Sequence, residues 1–204
     1  MNHQVWKWTA GSLAIMGLLS GCGTQQASVH ATKPVSKIEQ TAPITHSSSQ
    51  DTSIVDGFMK PYDVTPLFAH QIVNASGQTI QMPTTKPLLF FAWWCPHCHA
   101  ALQNLQQLGD LKDVQLVSVY LDANGKTVTT LAQAKALTAS GLHEAGISVP
   151  ASAIDYVMPT SPINNIIQGV PMIVGQVDHT WVAMDGEPTD PIHTWSDVIH
   201  GVRG

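Results

Sequence analysis

Charged side chains are scarce in this chain of 204 residues, at 11%, and the formal net charge is -5. That balance argues against a basic surface of the kind that holds nucleic acid. The ten histidines are scattered rather than gathered into a metal-storage tract, and a scattered set reads as polar surface. The apolar run Leu13-Ala14-Ile15-Met16-Gly17-Leu18-Leu19 is too short to span a bilayer, which takes about 20 residues. It has instead the length of a signal-peptide core, after a weak positive start at Lys7. Cysteine is limited to three residues, Cys22, Cys95 and Cys98, and an odd count calls for an explanation of the one left over.

The stretch that stands out is Leu88-Leu89-Phe90-Phe91-Ala92-Trp93-Trp94-Cys95-Pro96-His97-Cys98-His99. Two cysteines separated by two residues read as a redox dithiol, whereas the same pair followed by histidine is also a haem-attachment pattern. Both readings stand on these residues alone.

The leftover cysteine has its own context. Leu19-Ser20-Gly21-Cys22 resembles the lipobox of bacterial lipoproteins. The resemblance implies a signal peptide over 1–21, cleavage before Cys22 and lipidation of its sulfur. The chain would then be extracytoplasmic, lipid-anchored to the bacterial cell membrane, with Cys95 and Cys98 as its free thiols. Outside the cytoplasm such a pair can persist as a disulfide. From Gly23 to about Val55, Thr, Ser, Gln, Ala, Pro and His dominate. Such a composition cannot bury enough apolar surface to offset the entropy of ordering. Residues 22–57 therefore read as a lipidated N-terminus and disordered tether, and a flexible chain of about 33 residues reaches roughly 30 Å.

A folded domain is expected over 58–204. Asn74-Ala75-Ser76-Gly77 is a turn cluster, and the alternation in Gln78 to Met82 makes a hairpin around it. Leu88 to Trp93 is apolar on both faces, as in a buried central strand. Cys98, Ala101, Leu102, Leu105 and Leu108 then recur at helical spacing, with Pro96 at the first helical position and Gly109 at the end. Val114 to Leu121 reads as a second central strand, and Thr127 to Ser140 as a helix ending at Gly141. Leu142 to Gly169 shows no sustained period, with short helices expected near Ile154 and Ile166. Val170 to Val174 reads as a strand starting at proline, turning through Gln176 to His179 into Thr180 to Met184. A last helix is expected to be capped by Asp190, with Pro191 at its first position and Ile192, Trp195, Val198, Ile199 and Val202 on its apolar face.

Physical chemistry supports the dithiol reading. Two residues between thiols at a helix start let the sulfurs reach disulfide geometry, and the positive helix end favours negative charge on the Cys95 sulfur. His97 can add to this when protonated or by hydrogen bonding. Cys95 is expected to be the exposed nucleophile and Cys98 the more buried resolving thiol.

Over roughly Phe68 to Arg203 the chain resembles the thioredoxin superfamily. The match rests on the strand, Trp94-Cys95-Pro96-His97-Cys98 and helix unit, on Gly169-Val170-Pro171, and on the terminal hairpin and helix. The element order is similar to membrane-tethered proteins of the TlpA/ResA kind, while Pro96-His97 is the dipeptide of the DsbA-type oxidases. This implies an α/β thioredoxin-like fold, a central mixed β-sheet flanked by helices, and thiol-disulfide oxidoreductase activity without a cofactor beyond the Cys95–Cys98 pair. It further implies a cis peptide bond before Pro171, a Val170-Pro171 loop that pairs with substrate, and Trp94 shaping the substrate surface. Partners would be protein thiols or disulfides and a membrane electron-transfer protein, with the direction of electron flow open. The chain departs from the family at Leu89, where an acid thought to assist proton transfer is usual; Glu144 is a substitute only by family analogy, and a lone glutamate more often is a solvated charge.

Two other classes stay in view. A c-type haem would need thioethers at Cys95 and Cys98, His99 as axial ligand and Met158, Met172 or Met184 opposite. A copper metallochaperone of thioredoxin-like fold would usually place three residues between its cysteines and add a distant histidine.

Overall fold

The computed structural model describes residues 59–188 and 194–202. Cys22, the signal peptide and the tether lie outside the described residues, as do Asp190, Pro191 and Ile192 of the expected last helix. The described residues all fall in one compact unit.

Among the described residues eight strands form one sheet: β1 Lys60–Pro61, β2 Gln71–Val73, β3 Thr79–Gln81, β4 Leu88–Phe91, β5 Gln115–Ser118, β6 Ile154–Tyr156, β7 Met172–Val177 and β8 Thr180–Asp185. The helices are α1 Thr65–Phe68, α2 Pro96–Leu108, α3 Leu131–Glu144, α4 Ile163–Ile166 and α5 Trp195–Gly201. Strand order across the sheet is β1-β8-β7-β4-β5-β6-β2-β3. β4, β5 and β6 run parallel, while β7 lies antiparallel to β4 and β8 antiparallel to β7. The expected hairpin around Asn74 is β2 with β3, paired in register at Ile72 and Ile80.

β4 lies at the centre because its side chains are apolar on both faces. Leu88, Leu89, Phe90 and Phe91 are all 0% exposed. Leu89 and Phe91 pack on one face with Leu102 of α2, Ala134 of α3 and Ile199 of α5. Leu88 and Phe90 face the other core, with Leu67 of α1 and Ile163 of α4. Burying each of these side chains stabilises the fold by about 2 kcal/mol.

Several boundaries differ from expectation, each for a physical reason. Gly141 does not end α3, which continues to Glu144. A Cβ at Gly141 would lie 2.3 Å from the Trp93 carbonyl oxygen, so this glycine permits close approach of helix to loop. The short helix expected near Ile154 is a single 3-10 turn over Ala151–Ala153, and Ile154 itself begins β6, pairing with Leu116 as that strand joins the parallel core. Three residues are too few to show a period. The turn between β7 and β8 is only Asp178-His179, with φ of 47° and 65°, the positive values of a two-residue hairpin turn. Gln176 and Val177 are strand. The last helix starts at Trp195, capped by Thr194, whose side chain accepts from the Asp197 N–H while the Asp197 carboxylate accepts from the Thr194 N–H. That reciprocal box takes the capping role expected of Asp190.

Candidate functional site

Pro96 occupies the first turn of α2, where a missing N–H costs nothing. The residue before it is held extended, and Cys95 accordingly has φ -87° and ψ 115°. Cys95 is thus the N-cap of the helix. Its sulfur accepts the Cys98 N–H at 3.3 Å, so one of the free amide groups of the helix start points at it. Its own N–H donates to the Ala92 carbonyl at 3.1 Å.

Both thiols are free in this structure. Cys98 is fully buried, and Cys95 retains only 4% exposure. Cys95 is therefore less open than expected, though still the more accessible of the two. The loop after α4 closes over it: the Cys95 thiol donates to the Val170 carbonyl at 3.6 Å. The Val170–Pro171 peptide bond is cis. Burial, followed by the neighbouring Cys95 sulfur, pushes the Cys98 thiol far above its ordinary value. Cys98 thus stays protonated in the dithiol, and one sulfur of the pair is differentiated from the other.

Trp94 is half-exposed beside the pair, its indole Nε1 donating to the Tyr120 carbonyl at 3.1 Å. Trp93 packs on the core, with Nε1 donating to the Leu121 carbonyl. His97 is exposed, and its Nδ1 lies 3.4 Å from Glu187 Oε1. Glu187 belongs to the segment after β8, and sequence reasoning missed it because nothing local marks it. Leu89, which stands where the resemblance led one to expect an acid, is completely buried among apolar neighbours. Glu144 sits exposed at the end of α3, accepting from Ser140 Oγ at 2.9 Å; it is a surface charge.

The haem pattern fits this frame poorly. His99 Nε2 is 2.9 Å from the Trp93 carbonyl oxygen, a bond that axial ligation would break. Cys98 is sealed among Ala101, Leu102 and Leu105, where a porphyrin edge would have to displace close-packed side chains. Among the described residues no three or more His, Cys, Asp or Glu side chains are grouped to hold a metal ion.

A parallel strand–helix–strand unit, two antiparallel strands and a closing helix here carry Trp-Cys-Pro-His-Cys at a helix start, with a cis proline opposite. The fold is thioredoxin-like.

No protein-family model matches the sequence, and no curated protein matches it. Among solved structures, the chain is similar to a secreted Mycobacterium tuberculosis disulfide oxidoreductase homologous to E. coli DsbE. The identity is 17%, covering 68% of this chain and 97% of that one, with a TM-score of 0.43. StoA from Bacillus subtilis is 18% identical over 64% of this chain and 93% of that one, with a TM-score of 0.40. A putative thiol:disulfide interchange protein DsbE from Chlorobium tepidum is 16% identical over 66% and 93%, with a TM-score of 0.43.

Proposed function

We propose that this chain is an extracytoplasmic thiol-disulfide oxidoreductase, anchored through lipid on Cys22, that exchanges disulfides with protein substrates through Cys95 and Cys98. The observation that carries this reading is the asymmetry of the pair. The Cys95 sulfur caps the helix and accepts an amide N–H, while Cys98 lies behind it, fully buried and held as a thiol.

In the reducing direction the Cys95 sulfur attacks a substrate disulfide, forming a mixed disulfide and releasing one substrate sulfur as thiolate. Cys98 then gives up its proton, which ends on the substrate thiolate just released, and its sulfur attacks the Cys95 sulfur. The second substrate thiol leaves, and Cys95–Cys98 becomes a disulfide. The two electrons gained by the substrate come from the dithiol, so no cofactor enters. The oxidising direction is the same path reversed. A membrane electron-transfer protein would restore the starting state. The backbone at Val170, already within reach of the Cys95 sulfur, is the wall against which an extended substrate segment would pair.

Replacing Cys98 with Ala removes the resolving thiol, so mixed disulfides through Cys95 should accumulate in cells and vanish on reduction. Their absence from the variant would overturn the mechanism. The direction of flow follows from the reduction potential: about -270 mV marks a reductant of the thioredoxin kind, and about -120 mV a strong oxidant.

A further inference from the structure

We infer that Tyr120 is the positioning residue that sets the spacing between the two walls of the substrate cleft, the Trp94–Cys95 corner and the Val170–Pro171 loop. This rests on the proposed exchange reaction and adds to it the residue that holds the substrate groove in shape.

Tyr120 follows the end of β5, just after Val119 makes the last backbone bond to β4, through the Phe91 carbonyl. Its φ is 48°. A bulky side chain in the left-handed region is an outlier that persists only where surroundings enforce it. Here every polar group of the residue is engaged. The N–H donates to Asn164 Oδ1 at 3.2 Å, the carbonyl accepts from the Trp94 indole at 3.1 Å, and the phenol donates to the Ile167 carbonyl. The ring packs against the cores on both faces of the sheet.

These bonds run to both of the segments proposed as walls, the Trp94–Cys95 corner and the chain that leads into Val170. Through its carbonyl, Tyr120 holds the indole next to Cys95. Through its hydroxyl, it holds the chain three residues before Val170. Asn164 lies on α4, the helix that leads into that loop, and its Nδ2 donates to the carbonyls of Met158 at 3.0 Å and Pro159 at 3.3 Å, which ties α4 to the segment before it. A tyrosine that merely filled the core would need neither the strained backbone nor a bond to each wall. The arrangement is that of a strap, and an extended polypeptide laid between Trp94 and Val170 is what it would gauge. A small disulfide, which touches only the sulfurs, does not need the walls at a set distance.

Tyr120→Phe keeps the ring and removes the bond to Ile167. We expect the ratio of kcat/KM for a disulfide-bonded peptide to that for a small aromatic disulfide to fall about five-fold, the worth of one net hydrogen bond. Most of the change should lie in KM for the peptide, and backbone amides between residues 167 and 172 should exchange hydrogen faster. Asn164→Ala, which leaves the tyrosine in place, should move both readouts the same way and serves if the phenylalanine variant does not fold. An unchanged ratio with unchanged exchange in a folded variant overturns the inference, as does an equal loss on both substrates, which would place the effect on the dithiol itself. Wild-type protein that exchanges disulfides with neither substrate overturns the proposed function, a result separate from either of these.

Discussion

At the scale of single residues, burial rather than charge pairing separates the roles of ionisable groups. Cys98 and Asp155 are the examples. Asp155 lies on β6, buried, with its carboxylate accepting from Gln115 Nε2 at 3.1 Å. Burial pushes its carboxyl above the usual carboxylate range, and the Gln115 bond only partly opposes this. The folded chain therefore binds this proton more tightly than the unfolded chain. Its contribution to stability is complete below the ordinary value of 3.8 and is lost as pH rises from there through the raised folded value. Asp155→Asn should flatten that part of the stability profile, measured by urea unfolding at stepped pH. A profile that keeps its slope in the variant would assign the slope to another group. The residues that local rules govern were legible in the sequence: the Cys95–Cys98 pair and Pro96 in the first turn; the cis bond before Pro171 was implied only by the family resemblance. Tyr120, Asn164 and Glu187 were not, because each acts through contacts distant in sequence, and no local pattern marks a residue whose bonds go 26 or 47 positions away.

At the scale of elements, a glycine that looks like a helix stop can be a helix contact. Gly141 sits where the Trp93 carbonyl meets α3. Gly141→Ala should destabilise the domain by about 3 kcal/mol, since the added methyl meets backbone that cannot move away, and the shift in the urea midpoint would report it. A loss under about 1 kcal/mol would mean that the loop before Cys95 can retreat, and then the dithiol should move with it. Long amphipathic elements such as α2 were readable because their apolar positions repeat many times. β6 was not, because a strand of three residues is defined by its neighbour β5 rather than by its own pattern. The cap of α5 illustrates a related limit: Asp190 and Thr194 both satisfy the local preference for an N-cap, and Thr194 has the partner at Asp197 that closes the box.

At the scale of the whole molecule, the proposed lipid on Cys22 makes a direct prediction. Cys22→Ser should move the protein from the membrane fraction to the soluble fraction while leaving its folded dithiol intact, because an attached acyl chain contributes about 0.8 kcal/mol per buried methylene. Retention of the variant on membranes would show that something other than this cysteine holds it. None of the described helices is long and apolar enough to cross a membrane.

The short strand β1 then takes on a meaning beyond pairing with β8. The Tyr62 N–H donates inward to the Trp181 carbonyl at 2.9 Å, so by the alternation of antiparallel ladders the nitrogen of Pro61 faces outward, where proline has no hydrogen to offer. Lys60, exposed beside it, adds a charge to the same rim. Copies confined to a membrane surface collide far more often than copies free in solution, and an open sheet edge would let each collision seed strand exchange or aggregation. If lipid on Cys22 holds the chain at a membrane as proposed, a rim that lacks a donor at Pro61 and carries Lys60 offers such collisions a poor template for strand pairing.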